Sequence, residues 1–437
     1  MRKKRKSDEI LRKKSLKSSA DRKEIHYKGN NEKRLNRHQK KLSHALIKTK
    51  RTKFYNYLKM RNLLDKVEAQ TNFKIPKEFS LVDRPKESQT LITDIANAYE
   101  LNNSKKITID FSQCTKITYG VIFVLDCILT EIAKDKVRLE QKYKIPFRSK
   151  IDFISSKNEK VNSRIFSIGF IKYFNNSANK EDTPHSTTKT LSGSKNQEHP
   201  MDNKKSVVSY HVVDYIDKII NEVGWKLKFQ TKNFFGKLIG EILNNAEDHS
   251  DYDRWFIRCT AFKKSDEATF EVNIQFLNFG PSIFEGLEQS LPDNHSVRVI
   301  KEQAEKISSS KSGQFNIESL MTLYSLQEGV SRLKHEDHTR GFGTITFISS
   351  FLELSYHFED QESELFILSG NTKLKITDKY KPFEKEGKYF ISLNEEQNLM
   401  LPPDSNYLKT NSTYFPGTLI SAKIFINKDD FDRKYSK

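Results

Sequence analysis

The sequence predicts a mixed chain of α/β and α+β class, built as two folded units behind a basic arm. Three observations carry this expectation. A strand, a turn and a helix follow one another near residues 106–133, the repeating unit of an α/β layer. A polar stretch at 176–206 then interrupts the apolar pattern. Beyond it, an amphipathic helix is followed by a series of strand-like segments.

The charge is unevenly placed. The 437 residues carry a formal net charge of +18. Residues 1–60 alone hold 22 Lys and Arg against 5 Asp and Glu, and the rest of the chain holds 53 against 52. The body is nearly neutral and the arm is basic. Mean hydropathy is −0.70, and no run approaches the roughly 20 apolar residues of a membrane span. No apolar stretch follows Met1-Arg2-Lys3-Lys4-Arg5-Lys6, so no secretory signal is expected. Cys114, Cys127 and Cys259 are dispersed without C-x-x-C spacing. That pattern excludes a cysteine zinc site and fits reduced thiols in a cytoplasmic protein.

In chain order, residues 1–60 are too poor in large apolar groups to offset the entropy of ordering them. A helix is expected within Leu42–Val67, where Leu42, Ala45, Leu46, Phe54, Tyr55, Leu58 and Leu63 recur at helical spacing. The arm reads either as a phosphate-backbone anchor acting by counterion release or as a solubilising or protein-docking tail. Residues 75–175 form the first α/β unit. Lys106-Ile107-Thr108-Ile109-Asp110-Phe111 is strand-like, Thr115–Gly120 a turn, and Val121–Ala133 an apolar run entering a helix. The segment Ile109-Asp110-Phe111-Ser112-Gln113-Cys114-Thr115-Lys116-Ile117-Thr118-Tyr119-Gly120 resembles the core of STAS domains. Ile117 stands where that family usually has Asp. Thr118 or Tyr119 then lies near the hydroxyl that some members have phosphorylated, and the other reading is that Thr118 caps the helix. Residues 176–206, rich in Asn, Ser, Thr and Lys, read as a flexible linker.

The second unit spans 207–430. Its central helix carries Phe235, Leu238, Ile239, Ile242, Leu243 and Ala246 at offsets 0, 3, 4, 7, 8 and 11, an amphipathic face. Glu241, Asn245 and His249 follow at i, i+4 steps on a neighbouring stripe. Strands are expected at Trp255–Phe262 and Thr269–Leu277, the second ending in Asn278-Phe279-Gly280-Pro281-Ser282-Ile283. A polar segment, 285–339, precedes Arg340-Gly341-Phe342-Gly343-Thr344 and a further helix. Strands at 365–368, 374–376, 389–393 and 419–426 follow, the last after Pro416-Gly417-Thr418.

Taken in order, Glu-x-x-x-Asn on a helix, Asn-x-Gly-x-x-Ile after a strand, Gly-x-Gly before a helix and a late Gly-Thr resemble the Bergerat-fold (GHKL) ATPases. These include gyrase, the ninety-kilodalton chaperones, MutL, histidine kinases and anti-sigma serine kinases. The resemblance implies a Bergerat-type α/β sandwich at 207–430, ATP and Mg2+ as cofactors, and a mobile lid at 285–339. It implies Asn245 as a Mg2+ ligand, since that ion keeps few protein oxygens beside phosphates and water. Glu241 is then the catalytic general base. His249 either touches phosphate or stabilises the helix terminus. Asn278, Gly280, Ile283 and Thr418 would frame the base, and Arg340, Gly341, Gly343 and Thr344 would meet the phosphates through a helix N-terminus. By the resemblance, Arg332 or Lys334 would be the lid residue that senses a γ-phosphate. Two departures stand out: Asn278 replaces the usual Asp, and Ser282 the second glycine.

The resemblance leaves three functions open. The first is an ATP hydrolase whose lid closure, with dimerisation, switches a protein partner. The second is a serine/threonine kinase or partner-switching regulator, suggested by the STAS-like unit. The third is a non-hydrolysing, nucleotide-dependent binding module of a stress or antiviral system, anchored to nucleic acid through residues 1–60. The sequence contains no G-x-x-x-x-G-K-[ST], H-E-x-x-H or G-x-S-x-G, which removes the enzyme classes built on those motifs.

Overall fold

The computed structural model describes residues 70–101, 106–143, 150–167, 191–193, 205–222, 224–249, 255–264, 268–291, 294–309, 314–330 and 343–430. The basic arm and its expected helix lie outside these residues.

The first unit opens with β1 (Asn72–Lys74) and β2 (Glu78–Phe79), then α1 (Pro85–Leu101), β3 (Lys106–Asp110), β4 (Lys116–Ile117), α2 (Tyr119–Tyr143), β5 (Lys150–Ile154) and α3 (Glu159–Ser167). Parallel strands β1, β3 and β5 form one small sheet with β3 in the middle, and β2 pairs with β4. Pro85 starts α1 where its missing N–H costs nothing, and Glu87 lies in the positively polarised first turn. The expected turn at 115–120 holds the short strand β4 and the first residues of α2. Thr118 is the residue immediately before that helix.

Helix α2 buries Val121, Ile122, Phe123, Val124, Leu125, Cys127, Ile128 and Leu129, which point all round its axis. A helix that is apolar on every side must be covered on every side. Here the cover comes from its own unit and from the large sheet of the second unit, whose Phe256, Leu277, Phe279, Phe415 and Leu419 join the same core.

That large sheet is antiparallel and has the order β6-β7-β8-β12-β9. Its strands are β6 (Leu191–Gly193), β7 (Trp255–Lys263), β8 (Thr269–Asn278), β9 (Glu364–Ile376) and β12 (Leu408–Asn427), with a separate hairpin of β10 (Phe383–Lys385) and β11 (Lys388–Phe390). Every residue of β8 is buried, as expected of a central strand covered on both faces. Phe270, Val272, Ile274 and Phe276 point to one side, with α4 (Lys205–Asn221), α5 (Phe229–His249) and α9 (Gly343–Leu354). Leu277 and Phe279 point to the other, with α1 and α2. Helix α4 reaches this core through Val208, Val212, Ile216 and Ile220, four turns of one stripe. No helix among the described residues is long and apolar enough to cross a membrane.

The structure revises three boundaries. Residues 191–193, inside the expected linker, form β6 and pair with Trp255–Ile257. An edge strand needs only backbone groups facing an open sheet edge, which polar composition does not forbid. The expected lid at 285–339 is largely helical, with α6 (Ile283–Ser290), α7 (His295–Ser308) and α8 (Ile317–Tyr324). Val297, Ile300, Ala304 and Ile307 give α7 a buried stripe, and Asn294 and Asn316 cap α7 and α8. Among the described residues this stretch is therefore helical rather than one long loop; residues 331–342, with Arg332 and Lys334, lie outside them. Finally, the segments read at 365–368 and 374–376 are one strand, β9. The strand expected at 419–426 begins at Leu408, continuing through Pro416-Gly417 by register shifts. A bulge is where a strand tolerates proline.

Candidate functional site

Helix α5 owes its position to Phe235, Leu238, Ile239, Ile242 and Leu243, all buried against the sheet. Glu241 and Asn245 sit beside that stripe and are half-buried. Neither makes a hydrogen bond to another described residue, so their polar ends are left to solvent or a ligand. The side chain of His249 lies outside the described residues, as do Arg340 and Gly341. Gly343 is the first residue of α9, and half-buried Thr344 follows it. Helices α5 and α9 pack side by side.

The end of β8 is linked to the end of α5 by a short stretch of chain, and no hydrogen bond joins Glu241 or Asn245 to Asn278 or Thr418 among the described residues. The chain leaves α5 at His249 and enters β7 at Trp255, six residues on, a distance of at most about 20 Å. Trp255 is the cross-strand partner of Asn278. The Asn245 end of α5 is thereby tethered to the Asn278 end of the sheet.

Asn278 and Thr418 face each other across β8 and β12. The Thr418 backbone N–H donates to Asn278 Oδ1 at 3.0 Å. Gly417 makes this approach sterically feasible: its φ is +117°, and a Cβ there would lie 2.1 Å from the Asn278 carbonyl oxygen. Two motifs separated by 140 residues in the chain thus form one polar group.

Ser369 completes it, and nothing in the sequence pattern marks it. Its Oγ donates to the Gly417 carbonyl at 3.0 Å, accepts from the Ile283 N–H at 2.9 Å and lies 2.9 Å from Thr418 Oγ1. Ile283 enters the site through its backbone, while Gly280 is buried in the turn before it. Ser282, the residue that replaces a glycine, has its own role. Its hydroxyl accepts from Glu285 N–H at 3.1 Å while its N–H donates to Glu285 Oε2 at 2.8 Å, a capping box for α6. The Ser-x-x-Glu spacing was a readable signal for this.

A second ring of groups supports the first. Tyr414 donates to Glu285 Oε2 at 2.5 Å, and Glu318 Oε1 accepts from the Asn371 N–H at 2.6 Å. Burial raises the Glu318 carboxyl above its ordinary range, with the charge of Glu285 adding to it and the Asn371 N–H opposing it. A Cβ on Gly370, whose φ is +56°, would meet Glu318 Oε1 at 2.1 Å.

A small apolar hollow lies on the opposite face of the sheet, lined by Leu81, Ile92, Val124, Phe279 and Phe415. It lacks the polar groups gathered around Asn278. Compared with known proteins, the chain matches no family model, no curated protein and no solved structure.

Proposed function

We propose that residues 207–430 form a Bergerat-type nucleotide-binding unit that takes a purine nucleoside triphosphate with Mg2+ and hydrolyses it to switch a protein partner, and that residues 75–175 form a STAS-like unit. The observation that carries this reading is the meeting of Asn278 with Gly417-Thr418 at the end of the sheet to which the Glu241–Asn245 helix is tethered. Ligand sites commonly combine an apolar frame with a few placed polar groups, and the helix-on-sheet frame with Asn278 and Thr418 at its end fits that description.

Each residue has a distinct task in this reading. Asn278 and Thr418 hold the base, and Gly343 and Thr344 offer the start of α9 to phosphate oxygens. Asn245 fits the ion, because its half-buried amide makes no bond to another described residue and a single side-chain oxygen suffices beside phosphates and water. When bound, Mg2+ supplies charge neutralisation on the phosphates. Glu241, one turn from Asn245, takes the proton of the water that attacks the γ-phosphate.

Mg2+-dependent binding of labelled ATP, lost in Asn245→Ala, is the expected result. Failure of both ATP and GTP to bind at millimolar concentration overturns the reading. A second reading, phosphotransfer to a protein hydroxyl, is suggested by the STAS-like reading of the first unit, whose core is continuous with the sheet of the second. It is separated from hydrolysis by whether labelled γ-phosphate appears on Thr118 or a partner rather than as free phosphate.

A further inference from the structure

The floor of the proposed site carries one hydrogen-bond donor and one acceptor, and proton counting tells which is which. The Thr418 N–H points at the Asn278 amide at 3.0 Å. Only the amide oxygen can accept there, so Oδ1 faces Thr418 and Nδ2 is turned away from it. Asn278 is 4% exposed. Its Nδ2 has no hydrogen-bond partner among the described residues and is not among the fully enclosed, unpartnered polar atoms. The amide therefore offers a ligand its donor.

The hydroxyl of Thr418 has the opposite character. Ser369 has one hydroxyl proton, which goes to the Gly417 carbonyl, and its oxygen accepts from Ile283 N–H. The 2.9 Å contact between Ser369 Oγ and Thr418 Oγ1 must then have Thr418 as the donor. With its only proton committed, Thr418 Oγ1 offers a ligand lone pairs alone.

We propose that Asn278 Nδ2 and Thr418 Oγ1 read the nucleobase as a donor–acceptor pair, so that the site takes adenine and guanine nucleotides alike. The inference rests on the nucleotide reading above and specifies its substrate class. Adenine presents the N1 acceptor beside an N6–H donor, and guanine presents the O6 acceptor beside the N1–H donor. Both edges satisfy the pair, whereas a carboxylate at position 278 would offer acceptors only, attracting the adenine amine and repelling guanine O6.

The test is competition of ATP, GTP and purine riboside triphosphate against a fluorescent ATP analogue, with Mg2+, on the full chain and on Asn278→Asp. The wild-type Kd values for ATP and GTP are expected to agree within about threefold, and purine riboside triphosphate, which lacks the 6-amine, to bind about tenfold more weakly than ATP. Asn278→Asp retains the acceptor for Thr418 N–H and is expected to shift the ratio toward ATP by about tenfold or more. A wild-type preference beyond about tenfold for either nucleotide, or a ratio unchanged in a variant whose melting curve shows it folded, overturns the proposal. Purine riboside triphosphate binding as tightly as ATP overturns the role of Thr418. These results leave nucleotide binding itself standing, whereas binding of neither ATP nor GTP removes both readings. The wild-type ratio decides even if the variant does not fold.

Discussion

Arg258 on β7 donates from Nη2 to Asp126 Oδ2 on α2 at 3.0 Å, and both side chains are almost completely enclosed. The pair joins residues 132 apart in sequence and ties the first unit to the second. Beside it, Gln275 is the cross-strand partner of Arg258 and Thr260 follows two residues on. Gln275 and Thr260 are fully buried, with side-chain polar atoms that have no hydrogen-bond partner among the described residues. This sheet face is thus a polar stripe covered by an apolar helix. Burying charge and amide groups costs free energy, so the pair's main effect is to fix how α2 sits.

Removing Asp126 takes from the buried Arg258 the carboxylate that lies 3.0 Å away. Asp126→Ala is expected to lose about 3–5 kcal/mol of stability in urea unfolding. The double variant Asp126→Leu with Arg258→Met is expected to recover most of that loss. A double variant as unstable as the single one would mean that packing, not the lost ion pair, dominates.

At Gly417 the constraint is steric. The added methyl of Gly417→Ala would fall 2.1 Å from the Asn278 carbonyl oxygen, at a φ that side chains rarely adopt. The strand must shift, which is expected to lower stability by about 2 kcal/mol or more and to weaken any nucleotide binding with it. Thermal melting and a nucleotide titration on the same sample check both. Gly236→Ala, where the added methyl meets nothing within 4 Å, serves as the tolerant control.

The carboxyl of Glu318 gives a pH signature. Burial raises its pKa from the ordinary 4.5, so the folded state holds the proton more tightly than the unfolded chain. The resulting penalty is absent below the ordinary value and grows as pH rises through the folded one. Glu318→Gln keeps an oxygen for the Asn371 N–H and removes the charge. It is expected to raise Tm at pH 7 and to leave it unchanged near pH 4. A gain of equal size at both pH values would place the effect elsewhere.

Glu241→Gln separates binding from chemistry within the proposed function. The amide cannot take a proton from water, so phosphate release is expected to fall by about a hundredfold or more while nucleotide binding is retained. Unchanged turnover would remove Glu241 from the catalytic role, and lost binding would make it a structural or ligand-holding residue instead.

Much of the local structure was legible in the sequence because periodicity reports which residues share a face. The helix through Phe235–Leu243, the strands at 255–262 and 269–277 and the helix after Gly343 agree with the structure to within a few residues. The order of the polar motifs also singled out Asn278 and Thr418, which the sheet register brings opposite each other. Periodicity does not report what covers a face. The apolar run of α2 required cover on all sides, but only the tertiary structure decided that the sheet of the second unit supplies it and that Arg258 meets Asp126 there. The strand at 191–193 was hidden for a related reason, since its place depends on a free edge at β7 rather than on its own side chains. Ser369 was illegible because a serine beside a glycine carries no pattern; its role exists only where β9, β12 and the start of α6 converge on one hydroxyl.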